Sequence, residues 1–273
     1  MKLMLSTLVL NPIAFTLGPF QVHWYGIIIA SAVMIAVWLS ASEASHRNLK
    51  PDYIYDLILW ALPVAIVSAR IYYVIFQWNY YRNHLNEIVQ VWDGGIAIYG
   101  ALIGSGLVAY SFCRYYSIPV WKLLDIVAPT VIMGQAMGRW GNFMNQEAFG
   151  RITNLAFLQS LHLPKFIIQQ MLINGSYRQP TFLYESLWDA LGFILLMSLR
   201  HVPHLFKSGE VFLTYVIWYS FGRFFTEGMR TDSLMLGNIR ISQWLSVVLF
   251  FGGIAVLLYR RKYRPSLPWY LKS

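Results

Sequence analysis

Gln135, Arg139, Asn142 and Gln146 are separated by four, three and four residues, a spacing that puts all of them on one face of an α-helix. Asn145 sits beside them, and Gly138 and Gly141 leave room for another backbone or a ligand to come close. Arg223, Glu227 and Arg230 form a second set at i, i+4 and i+7, and Glu185 and Asp189 a third at i and i+4. Planar guanidinium groups bind phosphate in a bidentate manner, and amides add neutral donors. Two arginines from separate segments, with amides around one of them, therefore suit a phosphate ester. In an apolar chain that ester is a phospholipid headgroup. The competing reading is a set of ion pairs, Arg223 with Glu227 and Arg139 with Glu147, that only fixes a helix bundle, because charges inside a membrane must pair in any case. Spacing supports the lipid-phosphate site and reveals no reaction.

The elements that must position these residues follow from composition. Of 273 residues, 57% are hydrophobic and only 12% charged, half the charge of an ordinary soluble domain. Recurring apolar runs indicate one polytopic membrane domain over residues 1–273, an all-α bundle of about seven transmembrane helices. Three expected spans carry no charge at neutral pH: Gln21 to Ser42, Gly94 to Cys113 and Ile241 to Tyr259. Four more are interrupted by ionisable residues: Tyr53 to Trp78, Leu123 to Gly138, Pro180 to Leu199 and Val211 to Met229.

The net charge of +9 does not mark a nucleic-acid partner, since no basic cluster sits on a soluble module. Its simpler meaning is topological. With the C-terminus in the cytoplasm, eleven lysines and arginines fall in inside segments and four in short outside ones, leaving aside 139–179. The N-terminus is then outside, and an insertion at roughly 139–179 lies at the outer face. The first twenty residues resemble a signal peptide only superficially. Asn11-Pro12 interrupts the apolar stretch after Lys2 and no A-x-A site follows, so an uncleaved segment lying on the membrane surface is expected. The single cysteine, Cys113, excludes an intrachain disulfide and a multi-cysteine metal site. No metal-ligand or nucleotide-binding pattern is present, and no cofactor is expected.

"GRWGNFMNQEAFG" at 138–150 resembles the signature of the prolipoprotein diacylglyceryl transferases, bacterial membrane enzymes. "HWYGI" at 23–27, "SARIYYVIF" at 68–76, "WDGGIAIYGALIG" at 92–104, "PTFLYES" at 180–186, "GRFFTEGMRTD" at 222–232 and "ISQWLS" at 241–246 match in order along almost the whole chain. The resemblance implies transfer of an sn-1,2-diacylglyceryl group from phosphatidylglycerol to a thiol, releasing glycerol-1-phosphate. That thiol is the lipobox cysteine of a preprolipoprotein signal peptide. It implies a bacterial cell-membrane enzyme among membrane lipids, with Arg139 and Arg223 gripping the lipid phosphate. Asn142, Asn145, Glu147 and Gly150 would complete the substrate site. Glu227 and Arg230 would orient Arg223 and line an opening for lipid or peptide. Tyr25 and Tyr99 would lie beside the reacting centre.

One position departs from the pattern. Many members read "HGGLIG" where this chain reads "YGALIG", so Tyr99 replaces a histidine often proposed as the base. A phenol, with a reference pKa near 10, is a poor base at neutral pH unless its surroundings lower that value. Either Tyr99 positions substrate by hydrogen bonding or the site favours phenolate; His23 is a spare candidate. Cys113, beside Arg114 at the expected cytoplasmic end of a span, reads as structural, because the nucleophilic thiol belongs to the substrate. A transporter or flippase of an anionic lipid is the competing function, since glycine-rich spans with internal charges also suit a substrate path; a purely structural lipid-binding protein is a third.

Overall fold

The computed structural model describes residues 9–231, 235–236 and 239–272. Lys2 with the rest of the first eight residues, and Asp232 at the end of the "GRFFTEGMRTD" block, lie outside the described residues. In chain order the elements are β1 (Ile13–Leu17), β2 (Phe20–His23), α1 (Trp24–His46), α2 (Asp52–Phe76), α3 (Trp78–Tyr81), α4 (Ile98–Tyr115) and α5 (Val120–Met144). Then come α6 (Leu155–Ser160), α7 (Lys165–Gln170), β3 (Leu172–Ile173), β4 (Ser176–Tyr177), α8 (Thr181–Leu199), α9 (Glu210–Met229), β5 (Met235–Leu236), β6 (Ile239–Arg240) and α10 (Ile241–Tyr263). The strands form three two-stranded antiparallel hairpins, β1–β2, β3–β4 and β5–β6. The other elements among the described residues are helices.

The long helices α1, α2, α4, α5, α8, α9 and α10 fall on the seven spans expected from the sequence. Five of them, α1, α2, α5, α8 and α10, are long and apolar enough to cross a membrane. Two boundaries differ from expectation for identifiable reasons. The span expected from Gly94 becomes helical only at Ile98, because Gly94 and Gly95 adopt φ of 86° and 68°, a left-handed backbone that cannot start a right-handed helix. The span expected to close at Gly138 instead continues to Met144. There the side-chain amide of Gln170 donates to the carbonyls of Phe143 and Met144, both at 3.2 Å, covering acceptors that a helix end leaves open.

The chain divides into two compact units, residues 37–126 and residues 1–36 with 127–273. In the first, α2 packs on α4 through glycines. A Cβ on Gly100 or Gly104 would collide with Ser68 of α2, so small residues at i and i+4 let the backbones approach. Arg70 of α2 donates to four carbonyls of the following loop: Glu87 and Gly94 (2.5 and 2.7 Å), Gly95 (2.8 Å) and Ile88 (2.9 Å). Its guanidinium also lies 5.2 Å from the centre of the Tyr81 ring. A buried cation thus finds its partners in loop backbone and fixes the approach to α4. Arg47 faces Asp125 at 3.9 Å, both buried. Cys113 is buried at 1% exposure, in keeping with a packing role.

The second unit holds α8, α9 and α10, most of α5 and the segment between α5 and α8. That segment has its own core: Leu158, Ile167, Met171 and Ile173 close over Phe143 and Phe182, whose rings stack at 4.4 Å. Gln170, at 1% exposure, also accepts from the Leu10 amide at 2.9 Å. At the opposite end of α9, Glu210 holds Arg261 through both carboxylate oxygens at 2.8 Å, and Tyr270 of the tail inserts among Ile132, Leu196 and Val211.

Gln170→Ala should unfold at lower temperature than wild type in detergent. It uncovers buried carbonyls and an amide, each at about 1–3 kcal/mol. A melt superimposable on wild type would mean that the α5 end does not need this cap.

Candidate functional site

Arg139 reaches the site because α5 stays helical through the "GRWGNFM" stretch. Its glycines are taken up by packing against α1: a Cβ on Gly141 would come within 2.7 Å of Tyr25 Cδ2, and one on Gly138 would sit 3.5 Å from Ile29 Cδ1. The opposite face of α5 is anchored to α8, where Trp140 Nε1 donates to Ser186 Oγ at 3.0 Å. Lower on α5, Gln135 Nε2 donates to the hydroxyl of Tyr215 on α9 at 3.2 Å. Arg139 is thereby aimed between α8 and α9.

Those two helices are held in register by paired tryptophans. Trp188 Nε1 donates to the Trp218 carbonyl and Trp218 Nε1 to the Trp188 carbonyl, each at 3.1 Å, with the indoles stacked at 4.2 Å. A Cβ on Gly222 would strike Trp188, and one on Gly192 would strike Trp218. Each indole therefore fills the space a glycine leaves on the facing helix, and sliding either helix would cost both the stack and two hydrogen bonds.

In this register one carboxylate oxygen meets both arginines. Glu185 Oε2 lies 2.8 Å from Arg139 Nε and 3.0 Å from Arg223 NH1. The Arg223 contact is an aligned hydrogen bond; the buried Arg139 Nε–H is not directed along its contact and makes an ion pair only. Arg223 NH2 then lies 2.5 Å from Glu227 Oε2, one turn along α9. The carboxylates are deeper than the cations: Glu185 and Glu227 side chains are 5% and 4% exposed, those of Arg139 and Arg223 17%. Asp189, 3% exposed, follows Glu185 by one turn. With Glu185, Trp188, Tyr219, Gly222, Arg223 and Thr226 it lines a cavity of about 10 Å³, no larger than one water.

Of the residues picked out by spacing, the structure joins Arg139, Arg223 and Glu227 in one network. The Arg223–Glu227 pair is as expected, but the expected partner of Arg139 is not found. Glu147 lies beyond the end of α5, exposed, and accepts from Asn145 Nδ2 at 3.3 Å, while Glu185 arrives from α8 and takes the guanidinium. Gln146 also leaves the helical face, adopting φ of 53° and donating to the Gln170 carbonyl at 2.7 Å. Asn142 remains on α5, partly buried.

Gly150 pairs through its backbone with Arg230, and a Cβ there would press on Gln179 and Thr181 at 2.9 Å. The Arg230 carbonyl accepts from Arg240 NH2 at 2.8 Å, and that of Gly228 from Arg240 NH1 at 3.2 Å. Arginine thus covers the C-terminal carbonyls of α9. Tyr25 is 37% exposed. Tyr99 belongs to the other unit, as the second residue of α4, with its ring 6.4 Å from that of Tyr72. His23 ends β2, exposed. Among the described residues no cluster of His, Cys, Asp and Glu could hold a metal ion.

Glu185 is the residue that spacing did not assign to the site. It stood out only as half of an i, i+4 acidic pair in the "PTFLYES" block, and nothing local shows that it faces two arginines from other helices.

Comparison with known proteins agrees with this picture along the chain. The family described as prolipoprotein diacylglyceryl transferase matches residues 12–259. A protein of Pediococcus pentosaceus is 74% identical over 265 residues, covering 97% of this chain and 95% of its own length. A protein of Lactiplantibacillus plantarum is 67% identical, covering 96% and 93%, and one of Ligilactobacillus salivarius 64% identical, covering 96% and 97%. All three bear the name phosphatidylglycerol–prolipoprotein diacylglyceryl transferase. A helical membrane protein in which two arginines converge at the "GRWGN" and "GRFFTEG" blocks, and which aligns with these relatives from near one end to the other, belongs to the prolipoprotein diacylglyceryl transferase family.

Proposed function

We infer that this protein transfers the diacylglyceryl group of phosphatidylglycerol to the lipobox cysteine thiol of preprolipoproteins, at the outer face of the bacterial cell membrane. The observation that carries the reading is the convergence of Arg139 and Arg223, from different helices, on a single oxygen. Such a pair can hold two oxygens of one phosphate. In the reaction the thiol sulfur bonds to the glyceryl carbon, the carbon–oxygen bond to phosphate breaks, and glycerol-1-phosphate departs. The thiol proton passes to solvent water, and the phosphate passes from one negative charge to two. Guanidiniums around that phosphate interact more strongly with the departing dianion than with the bound diester, and only such a difference lowers the barrier.

Glu227 holds Arg223 in place in this scheme. Asn142, Asn145 and Glu147 complete the polar lining, Gly150 and Arg230 shape the entrance, and Tyr25 and Tyr99 border the reacting centre. The same arginines favour the thiolate of the incoming cysteine, whose reference pKa is near 8.5, so Tyr99 positions substrate and need not act as base. The basic residues near Arg260 to Arg264 support a cytoplasmic C-terminus, with the N-terminus and the segment 139–179 outside.

Purified protein with phosphatidylglycerol and a lipobox peptide should yield lipidated peptide without nucleotide or ion gradient; movement of lipid without peptide modification would favour a flippase. In that assay Arg139→Ala and Arg223→Ala should each lose about 10²-fold or more in turnover, as for a lost transition-state donor. Lysine, which keeps charge without the planar fork, should rescue only partly. Near-normal turnover in folded alanine variants would leave the arginines a bundle-fixing role.

Tyr99→Phe should cost less than about a hundredfold, and its rate should still rise with pH along the substrate thiol. A loss of roughly 10²–10⁴-fold at every pH would make the phenol the base. For topology, a reporter fused after residue 272 should behave as cytoplasmic and one at the N-terminus as external. Both on one side would remove the outer-face site.

A further inference from the structure

The two guanidiniums that suit a lipid phosphate are not waiting for one. Glu185 Oε2 already sits between them, at 2.8 Å from Arg139 and 3.0 Å from Arg223, in the bridging position that a phosphate oxygen would take. Arg223 is further neutralised by Glu227. Two guanidiniums and two carboxylates make the network neutral before any lipid arrives, and Asp189 adds a third acidic group to the same buried neighbourhood. A phosphodiester entering this site brings one more negative charge to a place where Glu185, Glu227 and Asp189 are all 5% exposed or less. Uncompensated charge in such surroundings is expensive. The adjoining cavity of about 10 Å³ gives the headgroup no separate seat. The contacts differ in quality as well: Arg139 Nε–H is not aligned on Glu185, so an acceptor with better geometry gains a hydrogen bond that the carboxylate does not make.

We propose that Glu185 is an exchangeable internal counter-ion: its carboxylate holds Arg139 and Arg223 together in the empty enzyme, and the phosphate of the lipid displaces it. The proposal rests on the phosphatidylglycerol reading above. Glu185 acts through the arginines and is a positioning residue. Its placement serves two ends, since it stops the guanidiniums from repelling one another or straying while the site is empty. It also sets a threshold, because a ligand must offer at least one phosphate charge to take its place, and a lipid without phosphate, such as diacylglycerol, does not.

The test separates displacement from simple support. In Glu185→Gln the competing charge is gone while size and shape remain. In Glu185→Asp the charge is kept but is one methylene shorter and bridges less well, a gentler change should the first variant fold poorly. Phosphatidylglycerol binding to the full-length protein in detergent should tighten by about threefold or more in Glu185→Gln, with a smaller gain in the same direction for Glu185→Asp. Glycerol-1-phosphate, which has no acyl chains, should show the same gain, and phosphatidylcholine should become a better ligand. If phosphate docks on the exposed sides of the arginines with Glu185 staying behind them, both folded variants will bind phosphatidylglycerol as wild type does or more weakly, and the proposal fails. A gain confined to phosphatidylglycerol, absent from the other two phosphate ligands, would not lie with the phosphate and overturns it equally. Failure of the underlying reading looks different: wild-type protein itself would yield no lipidated peptide.

Discussion

The polar centre of the larger unit is the contact between the Glu185 carboxylate and two guanidiniums. Three long helices supply its members, Arg139 from α5, Glu185 from α8 and Arg223 from α9. The burial of the carboxylates means that none can be left alone. Removing one partner of a buried pair typically costs about 3–5 kcal/mol, while the intact pair adds little to stability over a well-packed apolar alternative. Such a contact is therefore a constraint on the fold more than a source of its stability. The helices must meet at one level, and other interactions must hold them there.

Those interactions can be named. The reciprocal Trp188–Trp218 hydrogen bonds and stack set the height of α8 against α9. The Trp140–Ser186 and Gln135–Tyr215 bonds set α5 against each. Gly141 accepts the Tyr25 ring, and Gln170 covers the carbonyls where α5 stops. Each satisfies a polar group or fills a glycine-sized space, as expected where apolar surroundings offer backbone and side chains few alternatives. The unit of residues 37–126 solves a related problem with Arg70, whose guanidinium is consumed by four loop carbonyls ahead of Tyr99. Arginine is thus used in two ways: at Arg70 it organises loop backbone, and at Arg139 and Arg223 it meets carboxylates from side chains.

Much of this was already written in the chain. Apolar runs of bilayer length fixed the helical class, because a membrane segment must be helical and about 20 residues long whatever it packs against. Ordered motif blocks fixed the family, and the i, i+4 spacing of Arg223 and Glu227 fixed their pairing, since that contact lies within one helix. The end of α5 and the start of α4 were misplaced by several residues, for they depend on a cap from Gln170 and on left-handed glycines. The partner of Arg139 was a matter for the tertiary structure alone. Glu147 is near in sequence and Glu185 is 46 residues away, but only the packing of α8 against α5 decides which carboxylate reaches the guanidinium. Periodicity reports the face a residue occupies on its own helix; which residue of another helix stands opposite is set by register and rotation, and here these come from the Trp140–Ser186 bond between α5 and α8 and from the tryptophans seated against glycines between α8 and α9.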